Sequence, residues 1–168
     1  MQPIYLRLLR FDRLNALPCT TTWIVVLMAI VANLLLPSVA TALPQSELTV
    51  NIDGLKNTQG QVCLSIFASG QGFPDRSDRA VAARCVRVTN TSLTITFPGV
   101  MAGTYAVAVI HDTNNNGRID RNALGIPTEG FGFSQNPRIL TGPPRFGDSQ
   151  IVVAGPKTDI EIQLQYLL

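Results

Sequence analysis

The sequence predicts an all-β protein, an antiparallel β-sandwich of about seven strands behind an apolar N-terminal signal helix. Three observations carry that expectation. Apolar residues recur with period two through most of the chain after residue 42, the pattern of strands buried on one face. Clusters of Gly, Asn, Asp and Pro punctuate the apolar segments at short intervals, as turns between strands require. No sustained helical period follows the first 42 residues, apart from a turn near 77–83, and no internal repeat is visible.

The N-terminal segment has the three parts of a secretory signal. Arg7, Arg10 and Arg13 precede an apolar run from Trp23 to Leu36, followed by Pro37 and the small-residue site Ala40-Thr41-Ala42. The division is therefore 1–42 as signal and 43–168 as a β-sandwich domain. The apolar run is shorter than the ~20 residues that span a bilayer as a helix. The long basic region before it keeps a retained membrane anchor at 23–36 as the alternative. Cys19 precedes the apolar run, so it is not a lipid-attachment cysteine.

Strands are expected at 47–54, 61–68, 83–89, 92–97, 103–111, 149–154 and 158–166. In the second, Val62, Leu64 and Ile66 form the apolar face and Cys63 points away. In the third, Val86 and Val88 form it and Cys85 points away. The two cysteines meet if these strands pair, and otherwise stay separate thiols. An even cysteine pair suits an oxidising compartment, and a bridge closing this loop contributes about 3 kcal/mol. The fifth strand is apolar on both faces, with Tyr105, Val107 and Val109 opposite Ala106, Ala108 and Ile110, which suits a central position.

Charge excludes one class of partner. With Arg7, Arg10, Arg13 and Asp12 removed, the 13 basic and 11 acidic side chains become ten of each. The mature domain is neutral with His111 uncharged, and no basic patch with interleaved aromatics points to nucleic acid.

The segment 112–148 breaks the pattern. It contains six glycines and four prolines and no convincing strand. Structureless loops this long are usually functional or disordered. Ile119, Leu124, Ile126, Phe131, Phe133 and Phe146 offer packing anchors, so an ordered, folded-back loop is expected, and such loops carry sites.

Its entrance, HDTNNNGRID at 111–120, places Asp112, Asn114, Asn116, Gly117 and Asp120 at positions 1, 3, 5, 6 and 9 of a calcium-loop pattern. The carbonyl of Arg118 would supply position 7. Ala123 occupies position 12, where a bidentate glutamate belongs, so Glu129 or Asp148 would have to fold back. With two carboxylates in the loop, calcium affinity is expected at only ~10⁻⁴ to 10⁻³ M. The competing reading is an Asx-rich turn that needs no ion, since Asn and Asp cap turns locally and Asn116-Gly117 is a good type I′ signal.

Two further classes compete at the same loop. A hydrolase would use His111, the only histidine, as general base with Asp112 or Glu129. No nucleophile motif surrounds Ser134, so a non-enzymatic module is favoured. Binding would use His111, Glu129, Phe131 and Phe133, with Phe131, Phe133 and Phe146 stacking on a sugar or gripping a peptide unless they are core anchors. The ligand or partner belongs to the cell envelope on this reading, and the location is secreted or periplasmic.

Two long motifs resemble a known family. They are Gly103-Thr-Tyr-Ala-Val-Ala-Val-Ile-His-Asp-Thr-Asn-Asn-Asn-Gly-Arg-Ile-Asp and Leu124-Gly-Ile-Pro-Thr-Glu-Gly-Phe-Gly-Phe-Ser-Gln-Asn-Pro, followed by Gly142-Pro-Pro-Arg-Phe. Over roughly 47–166 the chain resembles the bacterial family called domain of unknown function 2141. The resemblance implies an exported sandwich of the transthyretin-like, immunoglobulin-like or carboxypeptidase-regulatory-like kind, with a cysteine pair similar to that of cyanobacterial members. It implies no activity. The chain differs from the common pattern at Gln135-Asn136, where members often have Asn-Asn.

Overall fold

A computed structural model describes residues 45–140 and 142–168. The signal at 1–42, its alternative as an anchor at 23–36, and Cys19 lie outside the described residues. Eight strands are present there: β1 (Gln45–Asp53), β2 (Gln61–Phe67), β3 (Ala82–Arg87), β4 (Leu93–Met101), β5 (Gly103–Asp112), β6 (Gly130–Phe133), β7 (Gln150–Val153) and β8 (Lys157–Gln163). They form a three-stranded sheet, β4-β1-β8, and a five-stranded sheet, β3-β2-β5-β6, with β7 also on β5.

The fold class is as expected, all-β in two sheets, but three features differ. The strand number is eight, and β8 runs parallel to β1, pairing Leu48 with Thr158 and Ile52 with Ile162. The chain leaves β7 on the larger sheet, turns through 154–156, and enters β8 on the smaller one, so this pair is not a hairpin. Strand β4 also runs past the expected end at Phe97. Pro98 and Gly99 lie opposite Glu47, where the register slips, and form a bulge instead of a terminus.

The main core lies between the sheets. Leu48, Val50 and Ile52 from β1 meet Val62, Leu64 and Ile66 from β2 and Val107 and Val109 from β5, all fully buried. Tyr105 anchors the crossing from β4 to β5 by donating its hydroxyl proton to the Met101 carbonyl at 2.9 Å. This ties the corner of the two sheets as tyrosine corners do in other sandwiches.

The added strand is β6, inside the segment expected to be loop. Its sequence is Gly-Phe-Gly-Phe, pairing Ala108 with Phe133 and His111 with Gly130. The alternation is real but inverted in size. Gly130 and Gly132 face the interior, where a Cβ would collide with Tyr166 and Ile162, respectively. Phe131 and Phe133 face outward and join Phe67 and Ala108 in a second, smaller core. Phe73, Ile119, Ile139 and Phe146 pack on it. The segment after β5 is thus ordered and folded back over the outer face of the larger sheet.

Strands β6 and β7 lie end to end along one edge of β5, and Ser134 joins them. Its backbone N–H donates to Val107 O at 2.9 Å, its hydroxyl accepts the Val107 N–H at 2.9 Å, and it donates to the Ser149 carbonyl. A side-chain oxygen here replaces the carbonyl that a continuous strand would offer. Asn136 does the same for β8, donating to Glu161 O at 3.1 Å and accepting the Gln163 N–H at 2.8 Å.

Candidate functional site

Strand β5 delivers His111 and Asp112 to the loop entrance, and both are fully buried. Asp112 Oδ1 accepts the Asn116 N–H at 3.0 Å, while Oδ2 accepts the Gly117 N–H at 2.8 Å and the Gln61 side-chain amide at 2.7 Å. Burial alone is the largest influence on this carboxyl and pushes its pKa up. The Gln61 amide and the N–H groups of Gly117, Asn116 and Asn115 together outweigh it and hold the group below the ordinary aspartate range.

The rest of the loop is bonded to itself. Asn114 and Asn116 each donate a side-chain amide proton to Asp120, at 2.6 and 2.9 Å. Asn114 Oδ1 accepts the Asn116 N–H at 3.1 Å and Asn116 Oδ1 accepts the Arg118 N–H at 2.9 Å, two successive Asx turns. Asn115 and Gly117 take positive φ, 62° and 75°. The amide protons of the two asparagines thus occupy the Asp120 oxygens that a cation would need. Among the described residues no three His, Cys, Asp or Glu side chains gather as an ion-holding group.

Glu129 does fold back onto the loop, whereas Asp148 does not. Glu129 Oε1 accepts the Thr113 N–H and hydroxyl at 2.8 and 2.9 Å, and Oε2 accepts the Asp120 N–H at 3.0 Å. One buried carboxylate therefore clamps both arms of the loop. Asp148 instead accepts the Arg145 N–H at 3.1 Å in the 3-10 turn Phe146–Ser149.

His111 is also committed. Its Nε2 donates to the Gln59 carbonyl at 2.8 Å, so Nδ1 accepts the Tyr166 hydroxyl proton at 2.7 Å. Tyr166 in turn accepts the Lys56 N–H at 3.2 Å, and the Lys56 ammonium lies 4.5 Å from its ring centre. Burial, the main cause, raises the Tyr166 pKa against the lowering pull of the Lys56 N–H. His111, Asp112 and Glu129 thus each have every side-chain polar atom bonded to a protein partner.

Phe131 and Phe133 are buried with their rings tilted by 49°, and Phe146 is half-buried against Phe73. They form no exposed coplanar platform for a sugar. Phe131 and Phe133 do wall a cleft. Between the outer face of the larger sheet and the folded-back segment lies a cavity of about 470 Å³, with Ala108, Ile110, Phe131 and Phe133 as its floor. Ile119, Ile126 and Ile139 line its sides. One wall is a small hairpin over 120–128, closed by Thr128 N–H to Asp120 O and Asn122 N–H to Ile126 O, both 2.9 Å.

The cleft is edged by apolar side chains that face water. Leu124 at the hairpin tip is 82 % exposed, Leu140 77 %, Leu168 62 % and Leu167 50 %. Four of the seven large exposed apolar side chains of the described residues thus surround one opening. Contiguous exposed apolar surface of this kind marks interaction sites. Leu124, expected as a packing anchor, is a lip of the cleft instead, because the Asn122–Ile126 turn holds the tip away from the sheet.

The motif geometry bears directly on kinship, since the brace from His111 to Glu129 spans both long motifs. The model of the family described as "Uncharacterized protein conserved in bacteria (DUF2141)" matches residues 50–161. The chain belongs to this family. No curated protein matches the chain, and no solved structure does. Within this family member, the residues that the spacing singled out are the brace of the folded-back segment. Ile110, Ile119 and Ile126 were legible as apolar positions but not as cleft walls, and Ile139 carries no spacing signal in its Gly- and Pro-rich stretch. The available hint was their number in a loop that needs few.

Proposed function

We propose that the protein is an exported, non-enzymatic module of the cell envelope that holds an apolar ligand in the cleft beneath the 112–148 segment. The observation that carries this reading is the 470 Å³ cavity with apolar walls and four water-facing leucines at its mouth. Export is supported by the signal-like segment at 1–42 and by the bridged Cys63–Cys85 pair, which suits an oxidising compartment. The binding reading is favoured over the hydrolase reading by the bonding of His111 and Glu129, whose polar atoms are engaged within the protein. On the resemblance of the motifs, we also read the frame as transthyretin-like and the cysteine pair as the cyanobacterial type.

Calcium enters as a secondary, weak ligand of the Asp112–Asp120 loop. To bind, it must displace the two asparagine amide protons from Asp120, so the loop gains little from the ion.

The test of the cleft uses the neutral apolar fluorophore N-phenyl-1-naphthylamine. Wild-type protein is expected to enhance its emission saturably. Ile110→Trp, which fills the floor of the cleft, is expected to abolish the enhancement while the melting curve stays cooperative. Equal enhancement by wild type and variant would show that the dye sits elsewhere and would overturn the reading.

A further inference from the structure

The inference here rests on the cleft reading above and names the class of ligand. The 470 Å³ cavity does not end at Ile110. A second cavity of about 330 Å³ continues from it toward the Cys63–Cys85 bridge, and both touch Pro74, Asp75, Ala108, Ile110, Ile119 and Arg121. A single trough therefore crosses the outer face of the larger sheet.

Its two ends have similar shares of apolar surface and differ in charge. The first is walled by Ile126, Phe131, Phe133, Ile139 and Leu140. The second adds Cys63, Ser65, Ser77, Ala83, Cys85 and one further cation, Arg118. Arg121 stands at the junction. Its Nη1 donates to the Gly125 carbonyl at 3.1 Å, and its Nη2 lies 3.6 Å from Asp75 Oδ1, longer than a direct charge-assisted hydrogen bond. Both partners of that pair are substantially exposed, so the pair contributes little and opens easily. Among the described residues, Arg118 has no carboxylate within ion-pair distance, while Asp78 is already held by Arg76 and Arg79. The trough thus carries two guanidinium-bearing residues, Arg121 at the junction and Arg118 in the second cavity, against the single carboxylate of Asp75.

We infer that the trough binds a single-chain anionic amphiphile: a linear hydrocarbon chain lies along Ile110, Phe131 and Ile139, and its carboxylate or phosphate headgroup is held by Arg121 and Arg118. A guanidinium offers paired N–H donors that match either headgroup, and a ligand anion replaces the loose contact with Asp75. The open leucine mouth lets the chain enter from the side, and the two arginines fix its direction. A cationic amphiphile would meet two like charges at the same place.

Displacement of bound N-phenyl-1-naphthylamine from the full chain tests this, using dodecanoate, dodecyl phosphate, dodecylammonium and acetate. Both dodecyl anions are expected to displace the dye at concentrations about tenfold below dodecylammonium, and acetate, lacking the chain, to displace none. Arg121→Gln is expected to erase that preference, read as the ratio of anion to cation displacement with the dye affinity of the variant measured separately, and Arg121→Lys to keep part of it. A preference for only one anion supports the inference and identifies the headgroup. Equal displacement by anion and cation, or an unchanged preference in Arg121→Gln, overturns the inference and leaves the cleft reading standing. If neither the dye nor dodecanoate binds, judged by fluorescence and calorimetry, both fail.

Discussion

At the scale of single residues, Asp112 is the pivot of the loop entrance. Removing its carboxylate leaves the Asn116 and Gly117 N–H groups and the Gln61 amide without their acceptor, at a cost of about 3 kcal/mol. Asp112→Ala should therefore lower stability by that order in chelator as well as in calcium, as measured by urea denaturation. Loss seen only with calcium present would mean that the ion, and not the turn, needs the carboxylate. For the wild type, an affinity in the range expected for two carboxylates makes 1 mM calcium worth only about 0.4 to 1.4 kcal/mol. The pH dependence has a definite sign. The folded pKa of Asp112 lies below its ordinary 3.8, so its contribution is complete above that value and disappears as pH falls through the lower folded one. Asp112→Asn should flatten this part of the acid-denaturation curve. Tyr166 behaves in the opposite sense: its folded pKa is raised, so its contribution is complete below 10.0 and is lost as pH rises through the folded value.

At the scale of elements, two cross-links decide how firmly the larger sheet and its cover are held. Strand β3 is an edge strand of mostly exposed residues, and Cys85 sits directly opposite Cys63 of β2. The bridge joins residues 22 apart, so Cys63→Ser/Cys85→Ser should lose about 3 kcal/mol, read from urea denaturation with a steeper slope, because the uncrosslinked unfolded chain exposes more surface. The alternation of Val62, Leu64 and Ile66 against Cys63 made the outward side it shares with Cys85 legible beforehand. The second cross-link was legible only as a choice between Glu129 and Asp148 folding back onto the loop. Glu129 ties Thr113 to Asp120 across the base of the loop, and Glu129→Ala should speed hydrogen exchange at 113–120 well above that in β2 and β5. Protection unchanged by that substitution would show that the Asx turns hold the loop alone. Strand β6 escaped detection for a related reason. Glycine weakens a strand in isolation, and its need here arises only from Tyr166 and Ile162 on the opposing side.

At the scale of the whole molecule, the two cores divide the work. The core between the sheets is built from alternating strands and sets the frame. The smaller one, around Phe67, Ala108, Phe131 and Phe133, fastens the long segment to the outer face of the larger sheet. That fastening leaves a trough instead of a sealed layer, because the segment is held at its braced base and by its phenylalanines while the 120–128 hairpin stands off. Tightening the roof should therefore compete with binding. A disulfide or bulky residue that closes the hairpin on the sheet is expected to raise the melting temperature and weaken ligand uptake together. A rise in both would mean that the cleft is not the site.

The sequence by itself determined the all-β class, the faces of β1, β2 and β5, the central place of β5, the ordered state of the long segment and the outward side shared by Cys63 and Cys85. These follow from period two and from turn chemistry, which act between near neighbours in the chain. Only the tertiary structure decided that β8 runs parallel to β1, that Gly-Phe-Gly-Phe is a strand, and that HDTNNNGRID is braced by Glu129. Each of these depends on groups distant in sequence that fill one space or satisfy one polar atom. The cleft belongs to the same class. A cavity is what remains after two layers pack, and no local pattern encodes the gap between them.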